Sequence, residues 1–220
     1  MFSGVDFQWD LYVPALQETL YMVGFSIFLA TVIGVPLGVL LVITRPGHIF
    51  AQPVVYQVVS TIINILRSIP FIILLFVLIP FTKLVVGTFI GVQGAIVPLV
   101  FYASPYIARL IESALLEVDP GLIEAFQAMG ATRSQIIFKV MIREARPAIV
   151  LSLTIAVIGL VDATAMAGII GAGGLGNLAY QYGFQMWQLP VMIITVIILI
   201  LLVQLLQMIG NRIARSLRKE

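Results

Sequence analysis

The chain has 220 residues, 61% of them hydrophobic and 10% charged, with a net charge of +2 and a mean hydropathy of +1.13. A soluble domain usually carries about a quarter of its residues as Asp, Glu, Lys or Arg. This composition therefore excludes an ordinary cytosolic enzyme, a disordered tail and a nucleic-acid-binding module, and it points to an integral membrane protein. There is no cysteine and one histidine, His48, which excludes disulfide frameworks, thiolate sites, cysteine nucleophiles and a histidine metal cluster.

A bilayer core about 30 Å thick calls for about 20 mostly apolar residues per spanning helix. The first uncharged run, 19–44, lies between Glu18 and Arg45. Pro53–Phe81 is a second apolar segment, interrupted by Arg67 and Pro70. The run 84–108 follows between Lys83 and Arg109, and Pro147–Ile170 is a fourth segment, interrupted by Asp162. Residues 163–211 carry no charge over 49 positions, too many for one helix, and the Gly-rich stretch Gly171–Gln185 divides them. The expectation is one all-α membrane domain over 1–220 with five spans, at about 17–44, 54–82, 86–113, 147–170 and 188–210.

Arginine and lysine collect on the cytoplasmic side of spans. The first seventeen residues hold Asp6 and Asp10 but no Lys or Arg. Arg45 and His48 follow the first span, and Arg109, Arg133, Lys139, Arg143 and Arg146 follow the third. The tail carries Arg212, Arg215, Arg218 and Lys219, whereas the opposite side holds only Lys83. The N-terminus is expected outside and the C-terminus inside. The start lacks a basic n-region and a small-residue cleavage site, so a cleavable signal peptide is not expected. An odd span count excludes two equal inverted repeats within one chain, while two copies would form a ten-helix pore about a two-fold axis.

The cytoplasmic segment 114–146 reads as two short helices. Asp119-Pro120 supplies an N-cap followed by proline at the first helical position. Leu122, Phe126 and Met129 recur at helical spacing beside Ile123, and Gly130 suits a left-handed helix end. Thr132-x-x-Gln135 has capping-box spacing and starts a second helix through about Ala145. The result is a helical elbow with an apolar stripe and basic edges.

Glu124-Ala125-Phe126-Gln127-Ala128-Met129-Gly130 resembles the cytoplasmic signature of ABC importer permeases, Glu-Ala-Ala, three residues, then Gly. The family pattern continues nine residues on in Val140-Met141-Ile142-Arg143. Phe126 stands where that pattern has Ala, and Arg143 where it has Pro. Two further stretches resemble the methionine-uptake permeases in particular: Arg67-Ser68-Ile69-Pro70-Phe71-Ile72-Ile73-Leu74-Leu75, and Met166 through Gly176 with the Tyr180-Gln181-Tyr182-Gly183 that follows. The resemblance covers roughly residues 15–215 in matching order.

That resemblance implies a type I ABC importer permease fold with a cytoplasmic coupling helix, as a multi-pass homodimer in the bacterial inner membrane. It also implies two copies of an ATP-binding ABC ATPase subunit and an extracytoplasmic methionine-binding protein as partners, with no nucleic acid. ATP and Mg would be bound by the ATPase, with no cofactor in this chain. The solute would be methionine of either hand; another amino acid or small polar solute is the alternative. The coupling residues implied are Glu124, Ala125, Phe126, Met129, Gly130 and Arg143. Phe126 and Met129 suit a pocket on the partner, Glu124 sits where the helix dipole favours an acid, and Gly130 permits the reversal between the helices.

Gly171-Ala172-Gly173-Gly174-Leu175-Gly176 satisfies G-x-G-x-x-G, but a dinucleotide site needs a strand before it and an acid about 20 residues on. A membrane span precedes it, and no acid follows before Glu220. No Walker A motif is present, so the chain itself is not expected to be an enzyme. The glycine stretch reads as a flexible exit from the fourth span, or else as a gating element.

An acid inside a span is a functional candidate. Asp162 and Arg67 sit about 22 and 21 Å along their spans at ~1.5 Å per residue. Either they pair, or each reaches water separately. Pro70 breaks the helical bond to Leu66 and kinks the second span. Ser152, Ala156, Gly159, Ala163 and Ala167 give the fourth span a small-residue face, suited either to packing within the chain or to the two-fold interface and pathway. Met166 on the same helix is a candidate gate plug or a core filler. Arg67, Pro70, Gly159, Asp162, Ala163 and Met166 are therefore the candidate pathway residues. A self-sufficient channel or ion-coupled carrier has only Arg67, Asp162 and Pro70 to work with. A membrane enzyme would need clustered acids, histidines or a nucleophile triad, and none is visible.

Overall fold

The computed structural model describes residues 9–218. Asp6 near the start and Lys219 and Glu220 at the end lie outside the described residues. The chain runs α1 (Trp9–Thr44), α2 (Pro53–Ser68), α3 (Phe71–Val77), α4 (Ile79–Val86) and α5 (Gly91–Leu116). The elbow follows as α6 (Pro120–Ala128), α7 (Arg133–Gln135), a π-helical stretch Ile136–Met141 and α8 (Ile142–Glu144). The chain then continues through α9 (Arg146–Ile169), α10 (Gly174–Leu178), a second π-helical stretch Ala179–Gln185 and α11 (Leu189–Leu217).

By length and apolarity α1, α5, α9 and α11 can each cross a membrane, which makes four spans, or five if the bent pair α2–α3 counts as one. The fourth expected span matches α9 to within a residue at each end. The first begins earlier than expected, at Trp9, and the last runs on to Leu217. The second expected span is divided: α2 ends at Ser68, and the chain turns by 101° before α3. Pro70, with φ −55 and ψ 138, stands as the N-cap of α3. It cannot donate to Leu66 and pushes Ile69 away from helical geometry, so the helix stops ahead of the proline instead of merely kinking.

The described residues fall into two compact units, each gathered from three stretches of chain. The first draws on residues 9–30, Ile69–Ala103 and Val157–Leu206. Within it, Tyr12 and Ala15 of α1 bury against Leu175 and Leu178, flanked by Tyr182 and by Val191, Ile194 and Ile198 of α11. Phe71 meets Tyr102 edge-on at 5.3 Å, and Phe81 meets Phe101 at 5.5 Å, tying α3 and α4 to α5.

The second unit draws on Thr31–Ser68, Ser104–Ala156 and residues 207–218. Leu41, Ile63 and Ala108 join α1, α2 and α5 there. Gly34 and Gly38 form a small-xxx-small seam on α1 that lets the α5 backbone approach. A Cβ at Gly34 would lie 2.7 Å from the Ser104 carbonyl oxygen, and one at Gly38 would lie 2.7 Å from that of Ala108. The obstacle is rigid helix backbone, so overpacking costs about 1–3 kcal/mol. Gly38→Ala is accordingly expected to lower thermal stability in detergent by that amount. An unchanged melting temperature would show that α1 and α5 separate freely.

Candidate functional site

Each end of α6 is locked by a local device. The Asp119 carboxylate accepts from the Gly121 amide at 2.9 Å, with Pro120 at the first helical position. At the other end Gly130 has φ +81. Its N–H donates to the Gln127 carbonyl at 3.0 Å, and the Ala131 N–H donates to that of Phe126 at 3.0 Å. These are the paired bonds of a Schellman stop. Thr132 Oγ1 then accepts from the Gln135 amide at 3.3 Å, and Gln135 Oε1 accepts from the Thr132 amide at 2.8 Å. The expected capping box is formed. The second helix of the elbow widens into a π turn over Ile136–Met141, burying Ile136, Ile137, Val140 and Met141 on one side.

Helix α6 has no buried residue. Glu124 and Ala125 are exposed, and Met129 is 70% exposed. Phe126, by contrast, is half-buried and lines a cleft of about 610 Å³ with Leu122, Val140, Arg143 and Arg218. Phe126 and Met129 therefore point to different surroundings, and only Met129 projects as a free apolar knob. On the other flank, Glu124 lines a cleft of about 890 Å³ with Arg45, His48, Gln127 and Arg133. Burial, with Arg45 alongside, pushes His48 below its ordinary pKa, favouring the neutral imidazole. Arg133 is held over the Phe50 ring at 4.6 Å.

The candidate pathway residues separate by face. Ala163 is 2% exposed, Ala156 and Ala167 are buried, and Ser152 donates to the Leu110 carbonyl at 3.3 Å. Gly159 is half-buried. Asp162 is exposed and Met166 is 48% exposed, on the opposite side of α9 together with Ile155 and Ile169. Ser152, Ala156, Ala163 and Ala167 thus pack inside the chain and Gly159 does so in part, while Asp162 and Met166 face outward. Arg67 is exposed at the last turn of α2, its guanidinium 5.8 Å from the Tyr106 ring centre, and Pro70 is exposed at the bend.

Two polar constellations escaped the sequence reading. Arg109, which the sequence marks as a span boundary and a cytoplasmic-side charge, is the hub of the second unit. Its Nη1 pairs with Glu112 at 2.5 Å, and its Nη2 donates to the Ser60 carbonyl at 3.1 Å and to Asn64 Oδ1 at 2.9 Å. Tyr56 donates to Glu112 at 3.3 Å. Tyr56, Ser60 and Asn64 recur every fourth residue on α2, which places them on one face toward α5. That stripe was the available signal. The second constellation joins Glu18 and Thr19 of α1 to the start of α10. The Gly174 amide donates to Glu18 at 2.6 Å, and the Leu175 amide donates to Thr19 Oγ1 at 2.9 Å. No local spacing announces it.

Residues 30–219 match the pattern of the family described as binding-protein-dependent transport system inner membrane component. The chain is 48% identical over 206 residues to the probable D-methionine transport system permease protein MetI of Vibrio cholerae, covering 94% of this chain and 92% of that one. It is 56% identical over 158 residues to the D-methionine permease MetI of Escherichia coli K12, covering 72% of this chain and 73% of that one. A chain of the MetNI methionine ABC transporter, solved in inward-facing conformations, superposes with a TM-score of 0.92 at 53% identity, covering 93% of this chain and 95% of that one. Agreement of this extent in sequence and in fold leaves one conclusion: the chain belongs to the family of binding-protein-dependent transport system inner membrane components.

Proposed function

We propose that this chain is the permease of an ATP-driven importer for methionine of either hand, with its N-terminus outside and its C-terminus in the cytoplasm. Two copies form the pore, each carrying one ATPase subunit, and an external binding protein delivers the solute. ATP and Mg are held by the ATPase. The observation that carries the reading is α6, an exposed helix stiffened at both ends and followed by a buried π-helical wall. Such a helix moves as a unit when an outside subunit pushes on Glu124, Ala125 and Met129. Phe126, Gly130 and Arg143 hold it to the rest of the elbow. The similarity to D-methionine permeases supports the solute, and the likeness to a MetNI chain supports the ATPase partner.

Within the pore, Asp162 and Met166 line the path from the outward face of α9, with Arg67 and Pro70 at the α2 bend. Gly159 and Ala163 set how closely α9 packs within its own chain. Co-purification is the direct test: the ATPase should accompany the permease, and labelled methionine should enter vesicles holding the permease, ATPase and binding protein only when ATP is supplied. A permease that purifies alone and conducts methionine without ATP would sink the reading.

The two faces of α9 are expected to respond differently. Ala163→Leu should lower thermal stability by about 1–3 kcal/mol through overpacking. Met166→Ala should leave the melting temperature unchanged yet raise ATP turnover in the absence of solute. Equal melting temperatures for both variants would contradict this division of roles.

A further inference from the structure

We propose that Glu18 and Thr19 are positioning residues for the outer closure of the pathway, holding the glycine loop after α9 through two side-chain-to-backbone bonds. The inference rests on the transport reading above and extends it to residues of α1. The loop has little stiffness of its own, because Gly171, Gly173 and Gly174 all adopt positive φ, at +88, +86 and +77. Its place is set by what it is bonded to. The Gly91 amide donates to the Gly171 carbonyl at 3.0 Å. Glu18 and Thr19 accept from the Gly174 and Leu175 amides, the first donors of α10, which have no acceptor of their own within that helix. Thr19 is 1% exposed, and its hydroxyl proton is directed to the Ala15 carbonyl at 3.0 Å, so its oxygen is free to accept.

The loop cannot retreat on its other side. Gly176 lies against the Ala165 backbone, and Gly168 against Gly176 and Asn177, so closely that a Cβ at either glycine would collide with main chain. The end of α9 and α10 therefore move as one piece, and Met166 lies within it, two residues before Gly168. Fastening α10 to α1 fastens that piece. A carboxylate is not required as such, because an amide oxygen accepts the same bond. What is required is an acceptor at 18 and a hydroxyl at 19.

The test uses the permease assembled with its ATPase in lipid nanodiscs and reads two quantities. The first is hydrogen exchange of the 171–178 amides; the second is the ratio of ATP hydrolysis with loaded methionine-binding protein to hydrolysis without it. Glu18→Ala and Thr19→Val are expected to speed the exchange about tenfold, the scale of one lost hydrogen bond, and to lower the ratio by a similar factor. Glu18→Gln and Thr19→Ser should match the wild type in both. Unchanged exchange in the Ala and Val variants would overturn the clamp. Faster exchange with an unchanged ratio would reduce it to a structural cap and overturn the positioning role, as would a Glu18→Gln variant as defective as Glu18→Ala. Should Glu18→Ala not assemble, Thr19→Val against Thr19→Ser decides by the same two readings. A wild type that methionine does not stimulate would refute the transport reading, while the exchange data would still decide the clamp.

Discussion

Gly130→Pro is expected to lower solute-stimulated ATP hydrolysis in proteoliposomes by about a hundredfold, while the spans remain folded. Gly130 holds φ +81, and proline is confined to about −65°. The substitution also deletes the N–H that Gly130 donates to the Gln127 carbonyl and displaces Ala131, which donates to Phe126. Proline out of place costs about 3 kcal/mol or more, which is the hundredfold. The effect is one of conformation and not of volume, since nothing lies within 4 Å of a Cβ built there. Gly130→Asn should therefore keep most of the coupling, because asparagine tolerates the left-handed region. Glu124→Lys tests the same helix electrostatically, adding a cation to a cleft that already holds Arg45, His48 and Arg133. Coupling at the wild-type level in Gly130→Pro, with an unchanged size-exclusion profile, would show that the elbow transmits nothing.

That elbow was readable from sequence because each of its signals is local. An N-cap, a capping box and a glycine stop act over three to five residues, and Asp119, Thr132 and Gly130 occupy their expected roles. Spans are legible for a similar reason, since the cost of exposing polar groups to lipid is summed along a single segment. The division at Pro70 was half legible. Proline forbids the helical bond, but how far the chain turns depends on where Phe71, Leu74 and Leu75 find burial. The faces of α9 were not legible, because small residues suit packing within the chain as well as between chains, and spacing alone does not choose. Glu18 and Arg109 mark span boundaries in the sequence, because a charge looks the same whether it ends a span or is satisfied within the fold. The amide that Glu18 accepts from lies 156 residues away. The α2 acceptors of Arg109 lie 49 and 45 residues away, although its counter-charge Glu112 is only three residues on.

The Arg109 hub leads to the other large effect. Glu112 is 5% exposed, and its carboxylate is the counter-charge of a guanidinium whose Nε finds no partner among the described residues. Removing the acid leaves a largely enclosed cation held only by neutral acceptors on α2. Breaking one side of a buried ion pair costs about 3–5 kcal/mol, whereas replacing both charges with apolar groups is often close to neutral. Glu112→Ala is therefore expected to destabilise the chain by about 3 kcal/mol in thermal unfolding in detergent. Arg109→Met combined with Glu112→Met should recover more than half of that loss. Tyr56→Phe should cost little, about 0.5 kcal/mol, because its bond to Glu112 is long at 3.3 Å. A Glu112→Ala chain as stable as the wild type would mean that water reaches Arg109 between α2 and α5. A double variant worse than the single would mean that the bonds to Ser60 and Asn64, and not the ion pair, hold α2 in place.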